Sequence, residues 1–281
     1  VNTALSQDTL EVRALNKDFR LRDGLHVSTL HAVADVSFTL AAGRTVALVG
    51  ESGSGKSTIA RIIAKLETPT SGAVLLDGRP TPKKGTPEYR RQVQMVFQDP
   101  FASLNPFHSI SHHIERPLRI HHPELTTPQV QDRVVELLER VHLNASYLER
   151  RPHELSGGQR QRVAIARALA PGARFIVADE PVSMLDVSIR VGVLNLLADL
   201  QRADGLGVLY ITHDLATARH FSDEILVMYR GRIVERGPAD EVILNPQHEY
   251  TRKLREAAAD PDRLGHLRDE VRQEMAEGGA A

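Results

Sequence analysis

Gly50-Glu51-Ser52-Gly53-Ser54-Gly55-Lys56-Ser57-Thr58 constrains this chain more than any other run in it. Glycines at 50, 53 and 55 allow a backbone curl that other residues resist. In such a curl successive N–H groups point inward and form a nest for phosphate oxygens. The flanks are those the loop requires. Thr45 to Val49 is a short apolar run that reads as a buried parallel strand, and Ser57 to Leu66 reads as a helix. The helix N-terminus adds a dipole that favours anions. Strand, loop and helix make the P-loop pattern, with Lys56 placed to reach β- and γ-phosphates and Ser57 to ligate Mg²⁺. The motif implies a nucleotide but not which machine uses it.

Strand and helix signals alternate around this loop. Leu10 to Leu15 and Val33 to Leu40 read as strands, with a turn signal at Asp23-Gly24 between them. Val74 to Leu76 and Val93 to Phe97 read as further short strands. From Pro100 to Pro152 the character changes to prolines, histidines and a helix over Pro128 to Val141, whose Val130, Val134, Leu137, Leu138 and Val141 share one face. The α/β pattern then resumes: a helix from Gly158 to Ala170 stopped by Pro171-Gly172, a strand at Phe175 to Ala178, a helix at Ile189 to Arg202, a strand at Val208 to Thr212 and a hairpin about Tyr229-Arg230-Gly231. The tail after Tyr250 is charged and mixed in sign. The expected class is α/β: a P-loop NTPase (RecA-like) core with a mainly parallel sheet, an N-terminal antiparallel β portion and an inserted α-helical subdomain. Ligands of such sheets sit beyond the C-terminal strand ends, so the loops after Val49, Phe97, Ala178 and Thr212 are expected to share one site.

Those loops carry the right chemistry. Phe175-Ile176-Val177-Ala178-Asp179-Glu180 is an apolar strand ending in two acids. Asp179 suits Mg²⁺, and Glu180 is one step further, where a base can polarise an attacking water. His213 follows Thr212 and is placed to touch the γ-phosphate. Gln98 follows Phe97 and is placed to sense Mg²⁺ or the water. Neither residue carries weight without the P-loop.

Leu155-Ser156-Gly157-Gly158-Gln159 opens the helix after the inserted segment. Ser156 suits an N-cap, and Gly157 and Gly158 leave bare N–H groups for an anion. With this pentapeptide the chain resembles an ABC transporter ATPase over nearly its whole length. The ordered set is a Walker A loop at Gly50 to Thr58, a Q-loop at Gln98, the signature at Leu155 to Gln159, a Walker B strand at Phe175 to Asp179, Glu180, a D-loop at Ser183-Met184-Leu185-Asp186 and a switch at His213. The resemblance implies that Ser156, Gly157, Gly158 and Gln159 complete the ATP site of a partner subunit. It also assigns adenine stacking to Phe19, at the end of the first strand, where most members have Tyr or Trp. It implies an ATPase domain over 9–250, with a catalytic core of 9–98 and 157–250 and a helical subdomain of 99–156, and a tail over 251–281.

A narrower resemblance is to ATPases of oligopeptide and dipeptide permeases. It rests on Gln98-Asp99-Pro100-Phe101-Ala102-Ser103-Leu104-Asn105-Pro106, on Glu180-Pro181-Val182-Ser183 and Asp186-Val187-Ser188-Ile189, and on Asn245-Pro246-Gln247-His248-Glu249-Tyr250-Thr251. Glu249 stands where that group has proline, and Met184 where it has alanine. The cysteine cluster of many relatives' tails is absent, since the chain has no cysteine. This likeness implies an importer with a second ATPase subunit, identical or homologous, two membrane-spanning permease subunits and, indirectly, an extracytoplasmic solute-binding protein. It implies a peripheral position on the cytoplasmic face of the cell membrane.

Other features are blander. The formal net charge is -1, which gives no bulk attraction to nucleic acid, and none is expected as a partner. No apolar run reaches the roughly 20 residues that cross a bilayer, and Val1 to Leu10 has no signal-peptide core. His112, His113, His121 and His122 lack spaced acids, and Pro117 and Pro123 are expected to break any single helix there, so they read as a solvated surface. Arg160 and Arg162 read as support for the signature helix. A soluble ABC-type ATPase acting on nucleic acid or ribosomes is the alternative; the coiled-coil insertions or zinc cysteines of that class do not occur. A non-hydrolysing regulatory subunit would lack Glu180 or an intact signature, and both are present.

Overall fold

The computed structural model describes residues 8–23 and 26–259. Residues 1–7, Gly24 of the expected turn and the tail from 260 onward lie outside them. The chain divides into two compact units. The first begins with β1 (Thr9–Asp23), β2 (His26–Ala41), β3 (Thr45–Val49), α1 (Lys56–Ile63), β4 (Ser71–Leu76) and β5 (Arg79–Pro80). The chain then builds the second unit from α2 (Pro87–Gln92), β6 (Val93–Val96), α3 (Pro100–Ser103), α4 (Ile110–His121), α5 (Thr127–Arg140), α6 (Gly157–Leu169), β7 (Phe175–Asp179) and α7 (Val187–Asp204). β8 (Gly207–Thr212) leads back to the first unit, which ends with α8 (Leu215–Phe221), β9 (Glu224–Tyr229), β10 (Arg232–Pro238), α9 (Ala239–Leu244) and α10 (Glu249–Ala259).

In the first unit β2-β1-β4-β5 form one sheet, with β1 against β4 and β4 against β5 antiparallel. Leu10 and Val12 are buried, but the next buried residue of β1 is Leu15; on β2 the step runs from Val33 to Val36. Ala14 (φ 46) and Asp35 (φ 53) sit within these steps and shift the phase of the pleat. Strand β1 also continues past Leu15 to Asp23, so Phe19 lies inside the strand and not at its end. The same unit holds the order β10-β9-β3 and the far half of β8. β3 and β9 run parallel, and β9 returns through a two-residue turn to antiparallel β10. Arg230 and Gly231 both have positive φ, the geometry a tight hairpin selects.

The second unit contains β6 and β7, paired in parallel from Val93↔Phe175 to Val96↔Ala178. β3 and β7 are buried at every residue, as strands covered on both faces must be. The fold is the expected α/β class with antiparallel and parallel sheets. Helix α5 buries Val130, Val134, Leu137 and Leu138, and a Thr126–Gln129 capping box fixes its start.

One expectation fails here. α4 runs unbroken from Ile110 to His121 with Pro117 inside it. A proline deletes a single helical hydrogen bond, and burial of Ile110, Ile114 and Leu118 holds the helix together around that loss. His113 lies on this buried face at 8% exposure, its Nε2 3.0 Å from the Asn105 carbonyl. It is therefore not part of a solvated surface. Burial, then Arg167, His112 and His108, lower its pKa, and the Asn105 contact opposes them. No group of His, Cys, Asp or Glu suited to a metal ion occurs among the described residues.

Candidate nucleotide site

The first unit positions the P-loop. β3 delivers the chain at Gly50, and α1 starts at Lys56 with Gly55 as its N-cap. Gly50 has φ 151, and a Cβ there would stand 2.2 Å from the Met228 carbonyl oxygen. Gly55 has φ 106 and a Cβ position 2.1 Å from the Ala32 carbonyl oxygen. Both glycines are thus required by neighbouring backbone as well as by conformation. Between them Ser52 and Gly53 are exposed, leaving the loop's tip open.

Lys56 is 4% exposed. Its Nζ donates to the Gly50 carbonyl (2.7 Å), the Glu51 carbonyl (2.6 Å) and Ser54 Oγ (3.3 Å). A buried ammonium needs such oxygens, and they hold it inside the curl. Two outside contacts fix the loop. The hairpin turn donates Gly231 N–H to the Ser54 carbonyl at 3.0 Å. Glu51 N–H donates to Tyr250 Oη at 3.1 Å. Burial and the Glu51 carboxylate push the Tyr250 hydroxyl's titration up, which keeps it neutral. Ser57 and Thr58 follow in the first turn of α1, half-buried.

His213 follows β8 in the same unit and is half-buried. Asp214 beside it caps α8, accepting from Ala216 and Thr217 N–H. Phe19 is half-buried on β1, with Lys17 Nζ 4.8 Å from its ring centroid.

The second unit brings Gln98 and Glu180 together. Gln98 Nε2 donates to Glu180 Oε2 at 3.0 Å, across 82 residues of sequence. Asp179 ends β7 at 6% exposure. Glu180 itself has φ 44, a left-handed conformation that costs a non-glycine residue about 1–3 kcal/mol. Its carbonyl oxygen compensates by accepting from Ser183 N–H (3.2 Å) and Ser183 Oγ (3.1 Å). Backbone strain held at one acid beside another is typical of a site where side-chain direction matters more than comfort.

The signature helix α6 begins with a reciprocal cap. Gln159 N–H donates to Ser156 Oγ at 3.3 Å and Ser156 N–H to Gln159 Oε1 at 2.9 Å. Gln159 Nε2 continues to Tyr147 Oη at 2.9 Å. Ser156 is exposed, so this helix start faces outward within its unit. Gly158 is buried, and a Cβ there would stand 2.4 Å from Ile189 Cγ2 of α7. Arg160 and Arg162 donate to the carbonyls of Pro152 and Val141 and support the helix. Beside Phe97 and Gln94 lies a cavity of about 670 Å³, also lined by His112, Arg116 and Arg167.

Sequence reasoning passed over Tyr147 and Tyr250. Tyr250 lies in the run Asn245 to Thr251, and nothing local there marks it as a P-loop contact.

Strand, phosphate loop and helix in this arrangement define a P-loop nucleotide-binding protein. The family described as ABC transporter matches residues 33–183. Oligopeptide transport ATP-binding protein OppF of Bacillus subtilis (strain 168) is 46% identical over 273 residues, spanning 96% of this chain and 88% of that protein. Glutathione import ATP-binding protein GsiA of Salmonella choleraesuis (strain SC-B67) is 48% identical over 90% of this chain, which spans only 42% of GsiA. Among solved structures, the dimeric post-hydrolysis state of the ATP-binding cassette MJ0796 bound to ADP and Pi superimposes with a TM-score of 0.71 at 31% identity, covering 82% of this chain and 98% of that one. The chain belongs to the ABC transporter family and is an ATP-binding cassette ATPase. No helix among the described residues is long and apolar enough to cross a membrane.

Proposed function

We propose that this chain is the ATP-hydrolysing subunit of an importer for oligopeptides or dipeptides, working on the cytoplasmic face of the cell membrane. The observation that carries the reading is the 46% identity to OppF across 96% of the chain and 88% of that protein. The P-loop N–H groups and Lys56 hold the phosphates, and Phe19 stacks on the base. Ser57, Gln98 and Asp179 offer oxygen donors, the hard set that Mg²⁺ takes, and the bound ion would neutralise charge on the phosphates. Glu180 orients and deprotonates water, with Gln98 steering its carboxylate and His213 contacting the γ-phosphate. Ser156 to Gln159 serve the site of a second ATPase subunit, identical or homologous, so that two chains close on two ATP. The segment after Gln98, with Phe101 53% and Phe107 80% exposed, meets one of two membrane-spanning permease subunits. An extracytoplasmic solute-binding protein delivers the cargo.

Glu180→Gln is expected to lower turnover by about 10²–10⁴-fold while ATP binding remains. Near-normal turnover would remove the role given to Glu180. Isolation from detergent with two membrane subunits, followed by ATPase assays with peptides and with glutathione, tests the cargo. Purification without membrane partners, or stimulation by neither ligand, would overturn the importer reading.

A further inference from the structure

The P-loop's first peptide bond is gripped from both ends. Its carbonyl, on Gly50, accepts from Lys56 Nζ at 2.7 Å. Its N–H, on Glu51, donates to Tyr250 Oη at 3.1 Å. The two groups share one planar unit, so neither turns without the other. On one side Gly50 has no room to shift, since even a Cβ there would stand 2.2 Å from the Met228 carbonyl oxygen. Rotation of this plane is restrained at one end by Lys56 and at the other by Tyr250.

Tyr250 is itself well held. It is 5% exposed, and its ring lies 4.3 Å from that of Tyr229 at an interplanar angle of 30°. Tyr229 ends β9, immediately before the turn whose Gly231 N–H binds the Ser54 carbonyl. The C-terminal helix and the β9–β10 hairpin therefore reach the phosphate loop at two points, Glu51 and Ser54.

We infer that Tyr250 is a positioning residue for Lys56: its hydroxyl fixes the Gly50–Glu51 peptide plane and thereby aims the lysine that receives the phosphates. The inference rests on the nucleotide site proposed above. It gives α10 a part in nucleotide affinity although the helix contributes no group to the phosphates.

Tyr250→Phe is the direct test, because it keeps the ring and its packing on Tyr229. The substitution removes the hydroxyl that accepts from Glu51 N–H and is expected to weaken binding about fivefold. The full chain has no tryptophan, so a fluorescent ATP analogue can be titrated against a low protein background. The expected result is a raised Kd for the analogue with a melting temperature lowered by only about 2–4 °C, as one lost buried hydrogen bond implies. In a Lys56→Ala background, Tyr250→Phe should add no further loss, since the residue it aims is gone. Tyr229→Leu, which frees the Tyr250 ring, should raise Kd in the same direction by less. An unchanged Kd in Tyr250→Phe overturns the inference. So does a full fivefold loss that persists beside Lys56→Ala, which would mark Tyr250 as acting on the loop generally. Failure of the unmodified chain to bind the analogue would instead overturn the nucleotide site on which this stands.

Discussion

Helices α1 and α6 both begin in glycine-rich runs, yet the two starts are built differently. The N-cap of α1 is Gly55, which has no side chain to cap the helix, and the first helical residue Lys56 is buried and turned into the loop. The N-cap of α6 is exposed Ser156, whose side chain accepts from Gln159 N–H while the Gln159 side chain accepts from Ser156 N–H. The opposing atoms differ too. Glycine is required at 55 because a backbone carbonyl stands in the way, and at 158 because an isoleucine methyl does. One start is an enclosed cradle set by main chain. The other is an open face set by side chains. An enclosed cradle suits a ligand the chain holds alone, and an open face suits one offered by another molecule.

Substitutions at these positions can break that contrast. The largest effect is expected from Gly55→Ala. A positive φ and an immovable carbonyl push the loop out of its curl by about 3 kcal/mol, and restoring the curl on binding lowers affinity for an ATP analogue roughly a hundredfold. Near-normal affinity would mean the cradle is softer than its contacts imply. Gly158→Ala should cost about 1–3 kcal/mol in urea unfolding, and Ile189→Ala in the same chain should recover most of it. No such rescue is expected for Gly55→Ala, because Ala32 contributes a backbone atom. If Ile189→Ala gives no recovery, the second start is also governed by main chain and the distinction falls. The smallest effect is Ser156→Ala, about 1 kcal/mol from loss of the cap. A change within error would show that Gln159 and Tyr147 hold the helix start without the serine.

What the sequence shows and what it hides follow the same line. The P-loop, the strand ending in Asp179 and the signature helix are readable because each depends on neighbours within a few residues. Boundaries shift by a residue or two: α7 starts at Val187, two residues before the expected Ile189, with the Asp186 carbonyl accepting from Ile189 and Arg190 N–H. The long strands β1 and β2 are readable only in part, since Ala14 and Asp35, both at positive φ, interrupt the alternation that identifies a strand. α4 is hidden because its stability comes from burial around Pro117 and not from propensity. Gln98 is readable as a candidate, but its bond to Glu180 spans 82 residues, and Tyr250 reaches Glu51 across 199. Contacts of that range leave no local trace.

The close approach at Gly158 has a further mechanical meaning. Ile189 of α7 fills the space of the missing Cβ, and Leu185 stands 3.1 Å from where a Cβ on Gly157 would be. Arg190 ties the same stretch by donating to the carbonyls of Leu185 and Ser183. Ser183 in turn holds Glu180 by its carbonyl. The outward-facing helix start and the strained glutamate are thus neighbours in one short run of close contacts, within a single unit of the chain.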